Sequence, residues 1–246
     1  MQRGRNRQYC FYTGKGKGMA TRIEYDEELR EISSQIRAMG TEVKRAIDMT
    51  VEAFSRLDTE TANQIMQHDD IIDHYESLIE ERCIEIVVKQ APIASDWRKI
   101  ASYMRMISDL ERIADNCSDI SMYIKRIAAG PEVHAPVAFT GMFDTMRDMV
   151  SDTIESFFKG DTKLAAEVIR NDEVVDRDFD VIMKEISAEI QKNPEHTDQY
   201  LDYLMINKYV ERMADHSANI ASWVTFIVKG QLRLQYTDRY RKNSEN

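Results

Sequence analysis

Shifted by 103 positions, the chain falls on itself. Met39, Val43, Ala46, Ile47, Thr50, Val51 and Phe54 meet Met142, Met146, Met149, Val150, Thr153, Ile154 and Phe157. Asp58, Asp69 and Asp73 meet Asp161, Asp172 and Asp176. At an offset of 100, "LERIADNCSDI" (110–120) meets "VERMADHSANI" (210–220). The difference between the two offsets places a short insertion or deletion between the second and third elements of each copy, where a loop is expected. A duplicated chain folds as two units on one plan, and the plan is read once for both.

Each half reads as three helices. In the first, apolar residues recur at three- and four-residue steps through Met39, Val43, Ala46, Thr50, Ala53, Phe54 and Leu57, which predicts a helix from about Tyr25 to Leu57. Asp58 and Asp161 follow as N-caps, because a short carboxylate accepts the free amides of a first helical turn. The second helix runs to about Lys89 and stops before Pro92, which lacks an amide donor. Ser95 or Asp96 caps the third, which ends near Ala129. The Gly- and Pro-containing stretch "AGPEVHAP" (129–136) is the linker. The second half repeats the plan over 137–159, 162–192 and 197–229, ending at Gly230. With few Gly (9) and Pro (4) in 246 residues, the expected fold is all-α: two tandem three-helix bundles. The expected division is a basic disordered tail over 1–22, bundles over 23–130 and 131–230, and a C-terminal tail over 231–246.

Acidic pairs interrupt these helices at matched places. Asp69 falls in the seam formed by Ile65, Ile72, Ile79 and Ile86, and Asp172 in the seam of Val168, Val175 and Ile182. Asp73 and Asp176 lie one turn further on. On the third helices Glu111 with Asp115, and Glu211 with Asp215, repeat the spacing of four. Residues four apart share a helix face, where like charges are unfavourable. If the pairs meet across a groove, protons, arginines or metal cations must neutralise them. Arg112 and Arg212 are at hand, each about 100° round its helix from the adjacent Glu. Oxygen-only ligands of this kind suit hard cations or iron. The alternative is a set of solvated helix faces, which a single such pair usually is.

Other chemistry is poorly served. His68 and His74 have Asn171 and Arg177 as counterparts and read as surface side chains; His216 reads as a rim contact. No His has a Glu three residues before it, so the Glu-x-x-His signature of di-iron bundles is absent. There is no glycine-rich phosphate loop and no nucleophile with an evident base, so no enzyme is expected. Trp97, Trp223 and the methionines read as core. Net charge is −10, and residues 1–22 carry basic side chains without acidic ones, so the body is more acidic still. That argues against nucleic-acid partners. No apolar run reaches the roughly 18 residues that span a bilayer, and no signal peptide is expected. Three unpatterned cysteines suit a reducing cytoplasm, with Cys83 and Cys117 as buried hydrophobes.

The doubled "ERIAD" and "ERMAD", the stretch "HDDIIDHYESLIEERCIEIVVKQAPIASDWRKI" and the closing "HSANIASWVTFIVKG" resemble the PhoU family, over about Tyr25 to Gly230. The resemblance implies paired three-helix bundles whose acidic motifs bind multinuclear iron or zinc clusters, or another divalent metal. The motifs here are Asp69 with Asp73, Glu111 with Asp115, Asp172 with Asp176, and Glu211 with Asp215. It further implies a cytoplasmic negative regulator of phosphate uptake and of the phosphate-starvation response. Such a regulator works as an adaptor between the ATPase subunit of a phosphate ABC transporter and a membrane sensor histidine kinase, meeting membranes only through such complexes. A homodimer is expected. A carboxylate-bridged metal enzyme and a metal-storing helical scaffold stay open as alternatives.

Overall fold

The computed structural model describes residues 15–90 and 94–230, and its long elements are six α-helices. They are α1 (Lys15–Arg56), α2 (Thr59–Gln90), α3 (Ala94–Ala129), α4 (Phe139–Lys159), α5 (Thr162–Lys192) and α6 (Thr197–Lys229), with a 3₁₀ turn at Pro194–His196 before the last. Helix α1 starts ten residues before the expected Tyr25, so Lys15–Arg22 are helical rather than part of a disordered tail. No proline breaks that stretch, and each residue added to an existing helix gains a hydrogen bond. The rest of the expected N-terminal tail (1–14, with Cys10) and the C-terminal tail (231–246) lie outside the described residues.

The turns follow the chemistry of their residues. Asp58 Oδ1 accepts the amides of Glu60 and Thr61 at 2.9 and 3.2 Å. Asp161 Oδ1 accepts those of Lys163 and Leu164 at 2.9 and 3.1 Å. Just before each cap the backbone turns left-handed, at Leu57 (φ 50°) and at its counterpart Gly160 (φ 62°). Helix α3 starts at Ala94, so Ser95 and Asp96 occupy its first turn instead of the cap, where an acid still complements the helix dipole.

Each helix buries one stripe. On α1 it is Ile32, Ile36, Met39, Val43, Ala46, Ile47 and Ala53; on α4 Met142, Phe143, Met146, Met149 and Val150. Each fully buried Ile or Met contributes about 1.5–3 kcal/mol, and this burial holds the three helices of each half together. Within the first half, α2 runs antiparallel to both neighbours: Arg82 Nη1 meets Glu31 Oε1 at 2.8 Å, and Lys125 Nζ donates to Asn63 Oδ1 at 2.6 Å. Cys83 and Cys117 are fully buried. Trp97, expected in the core, is 50 % exposed, because the buried face of α3 begins at Asp96 and Ile100, to one side of it. Met66, Met122 and Met183 are likewise exposed, whereas Met39, Met106, Met142, Met146, Met149 and Met213 are core.

The halves pack along two lines. Helices α3 and α6 lie antiparallel, with Arg126 Nη2 2.8 Å from Asp202 Oδ1 and His216 Nδ1 2.9 Å from Asp109 Oδ1. Helices α1 and α4 meet through Lys44 Nζ, which donates to Ser151 Oγ at 2.9 Å, and through Arg37, whose guanidinium lies 3.7 Å from the centroid of Phe158. Phe54 of α1 reaches Phe139, Phe143 and Tyr203 of the second half, with centroids 4.9–6.1 Å apart.

Candidate metal centre

On α2 the fully buried Ile65, Ile72 and Ile79 recur every seven residues. Asp69 stands between the first two, so the seam that anchors the helix also fixes this carboxylate. Asp73 follows one turn later, and the antiparallel α3 brings Asp115 opposite both. One carboxylate oxygen from each of Asp69, Asp73 and Asp115 lies within 4.8 Å of the others. At that spacing two full charges repel by about 3 kcal/mol at an effective dielectric constant of ~20. A proton or a cation would relieve that repulsion, which water screens in part because Asp73 is exposed and Asp115 half-exposed.

The titration of the cluster expresses this strain. Burial pushes the Asp69 carboxyl up; the neighbouring Asp115, Asp73 and Asp70 add to the effect and Ser118 partly offsets it. Burial raises Asp73 too, with Asp115 and Asp70 adding. Glu111, one turn before Asp115, is pushed up to about 7 by burial first and then by the charge of Asp115. Burial likewise raises Glu76, which is further burdened by Glu80. Arg112 reaches further back than its position on the helix suggested: its Nη1 donates to Asp115 Oδ2 at 2.9 Å, and its Nε lies 3.3 Å from Glu111 Oε2. One half-exposed guanidinium on the outer edge thus faces four carboxylates, those of Asp73, Glu76, Glu111 and Asp115.

The residues present fit a hard cation. Asp69 Oδ1 is shut off from solvent with no close hydrogen bond, and the Ser118 hydroxyl beside the carboxylate eases its charge only in part, an arrangement that is costly for an anion unless a cation or proton meets it. The donors are all oxygen, which favours ions that accept carboxylates over those that require thiolate. Asp69, Asp73 and Asp115 could hold a metal ion, with Glu111 and Glu76 as the next carboxylates along the groove. Sequence reading passed over Glu76, although it lies three residues after Asp73 and seven after Asp69, on the same flank.

The second half is built differently. Asp172 and Glu211 are buried, while Asp176 and Asp215 are half-buried. Among the described residues, these four do not bring three carboxylate oxygens together as Asp69, Asp73 and Asp115 do. Lys208 Nζ donates to Glu211 Oε2 at 2.5 Å and stands 5.7 Å from the ring centroid of Phe179. Asn207 Nδ2 ties α6 to the backbone oxygen of Phe179 at 3.1 Å. Two histidines depart from expectation in their surroundings. His68, expected at the surface, is buried with Nε2 2.9 Å from Glu42 Oε2, while His216 spans the two halves.

No described helix is long and apolar enough to cross a membrane. A family model described as "PhoU domain" matches residues 36–124 and 139–224, one copy in each half. The chain is 30% identical over 208 residues to a phosphate-specific transport system accessory protein PhoU homolog of Pseudomonas putida, covering 84% of this chain and 81% of that one. A homolog of the same description from Aquifex aeolicus is 31% identical over 186 residues, covering 76% and 84%. Among solved structures, the crystal structure of PhoU from Pseudomonas aeruginosa superposes with a TM-score of 0.81 at 29% identity, over 84% of this chain and all of that one. The phosphate transport system regulatory protein PhoU from Streptococcus pneumoniae does so with 0.78 at 27%, over 85% and 99%.

Proposed function

This chain belongs to the PhoU domain family, and from that premise we propose that it regulates phosphate transport as a metal-binding, non-enzymatic adaptor. The observation that carries the reading is the double match of the family model, one copy per half, together with relatives described as accessory proteins of a phosphate-specific transport system. The units of the adaptor are residues 23–130 and 131–230, and it works in the cytoplasm. Its partners are the ATPase subunit of a phosphate ABC transporter and a membrane sensor histidine kinase, and it acts as a homodimer. As an adaptor it acts by binding one state of each partner more tightly than the other. The shift it imposes is limited to that difference in affinity.

Iron, zinc or another divalent metal is held by Asp69, Asp73 and Asp115, with Glu111 alongside. The approach of three carboxylate oxygens to within 4.8 Å supports this assignment. The ion supplies the positive charge that lets the acidic faces of α2 and α3 share one volume. The adaptor reading is tested genetically. Deleting the gene raises alkaline phosphatase activity in phosphate-rich medium, and the intact gene restores repression. Full repression in the deletion strain would refute the role.

A further inference from the structure

The two acidic clusters share an ancestry but not a charge balance. Around the first, Glu76 on α2 and Ser108 on α3 flank Glu111 and Asp73. Their counterparts in the second half, by the offsets of the duplication, are Phe179 and Lys208. One carboxylate has become an aromatic ring, and one hydroxyl has become an ammonium. These two replacements touch each other: the Lys208 ammonium stands 5.7 Å from the Phe179 ring centroid while donating to Glu211 at 2.5 Å. Two further acids near the first cluster, Glu80 and Asp119, correspond to Met183 and Asn219. Every one of these changes makes the second site less acidic.

We infer that the metal-binding capacity of the duplicated fold resides in the first half alone, and that in the second half the Lys208 ammonium, seated on Phe179, takes the place of the cation. The placement of the carboxylates agrees. The first cluster keeps three oxygens converged and a buried Asp69 oxygen with no close hydrogen bond, although Arg112 already pairs with its outer edge. In the second half Lys208 engages Glu211 instead, and the four motif carboxylates do not converge as a trio among the described residues. A lysine three residues before the glutamate on the same helix is held by a short local contact, so displacing it costs the site its own neutralising charge before a metal gains anything. A cation entering there would also lack counterparts of Glu76, Glu80 and Asp119. The duplication has thus separated two roles: a site that responds to metal and a site in which Lys208 offsets Glu211 and braces α5 against α6.

This inference rests on the metal reading proposed above, and its test separates the two. The full-length chain and its variants are equilibrated with Zn²⁺, and in parallel with anaerobic Fe²⁺, then desalted. Metal per chain is measured by elemental analysis and helicity by circular dichroism. D73N/D115N, which removes charge while keeping shape, is expected to lose nearly all bound metal. D176N/E211Q is expected to keep the wild-type amount. F179E/K208S, which restores the first-half residue types, is expected to take up additional metal that a further E211Q change removes. Loss of half or more of the metal from D176N/E211Q with helicity intact overturns the asymmetry, as does retention of half by D73N/D115N. A wild-type chain that takes up neither ion overturns the metal reading itself, and this inference with it. The substitutions to Asn and Gln relieve repulsion, so helicity is retained in both decisive variants.

Discussion

Glu111 holds its proton far into the range where a carboxyl is normally ionised: burial, and then the charge of Asp115, push it from the ordinary 4.5 up to about 7. The unfolded chain releases that proton near the ordinary value. Between the two, the folded chain binds more protons than the unfolded one, so stability falls as pH rises. The contribution is fullest below about 4.5 and has been lost by about 7; the raised Asp69, Asp73 and Glu76 act in the same direction. The metal-free chain is therefore expected to melt at a higher temperature at pH 5 than at pH 7.5. Glu111→Gln should flatten that difference by raising the midpoint at pH 7.5. Added divalent metal should stabilise more at pH 7.5 than at pH 5, since its ligands must first lose their protons. Melting curves at the two pH values, with and without Zn²⁺, decide it; a variant as pH-sensitive as the parent would remove Glu111 from the account.

At the scale of the helix, what is short and local in chemistry proved easiest to read. Asp58 and Asp161 cap as their side chains require, and α5 and α6 span the residues their breakers enclose. The first turn of α1 carries no such marker, and the helix begins ten residues before the expected Tyr25. Gly160 offers a clean test of the turn itself. Its φ of 62° is strained for any side chain, yet a Cβ there would meet only Val228 Cγ2, at 3.8 Å. Gly160→Ala should therefore cost backbone strain alone, about 1 kcal/mol, or a fall of about 2–4 °C in melting temperature. Its counterpart Leu57 tolerates the same conformation because its side chain packs on the core. The meeting of Asp69, Asp73 and Asp115 was foreshadowed by the spacing of four on adjacent helices. The Lys208–Glu211 contact was not: a lysine three residues from a glutamate is common on any helix surface, and only packing distinguishes a solvated one from one seated on Phe179. The same limit hid Arg112, whose long side chain spans an angle that a helix wheel treats as a separation.

For the whole molecule the question is what keeps two duplicated halves in one arrangement. On α6 the residues facing α3 recur every seven positions at Asp202, Tyr209 and His216, and they meet Arg126, Tyr123 and Asp109. These polar pairs lie along the most extensive helix pairing in the structure, so they set register within an interface that apolar packing also holds. Asp202 is its most committed member, 5 % exposed, its carboxyl raised by burial and held down in part by Arg126. Removing the guanidinium leaves a buried carboxylate without its charge partner, and Arg126→Ala should cost about 2 kcal/mol at pH 7.5. In that variant the folded-state pKa of Asp202 rises further above its unfolded value. The penalty is then largest at neutral pH and shrinks as pH falls and the carboxyl takes up a proton. Asp202→Asn in the same chain should recover most of the loss, since an amide needs no countercharge. Melting curves of the single and double variants at pH 5 and 7.5 measure this. If Arg126→Ala matches the parent at both, the polar pairs are decoration on two bundles that the wider packing of α3 on α6 already joins. If the penalty appears and the double variant erases it, a buried charge pair fixes how the halves sit, and with it the surface they jointly present to a partner.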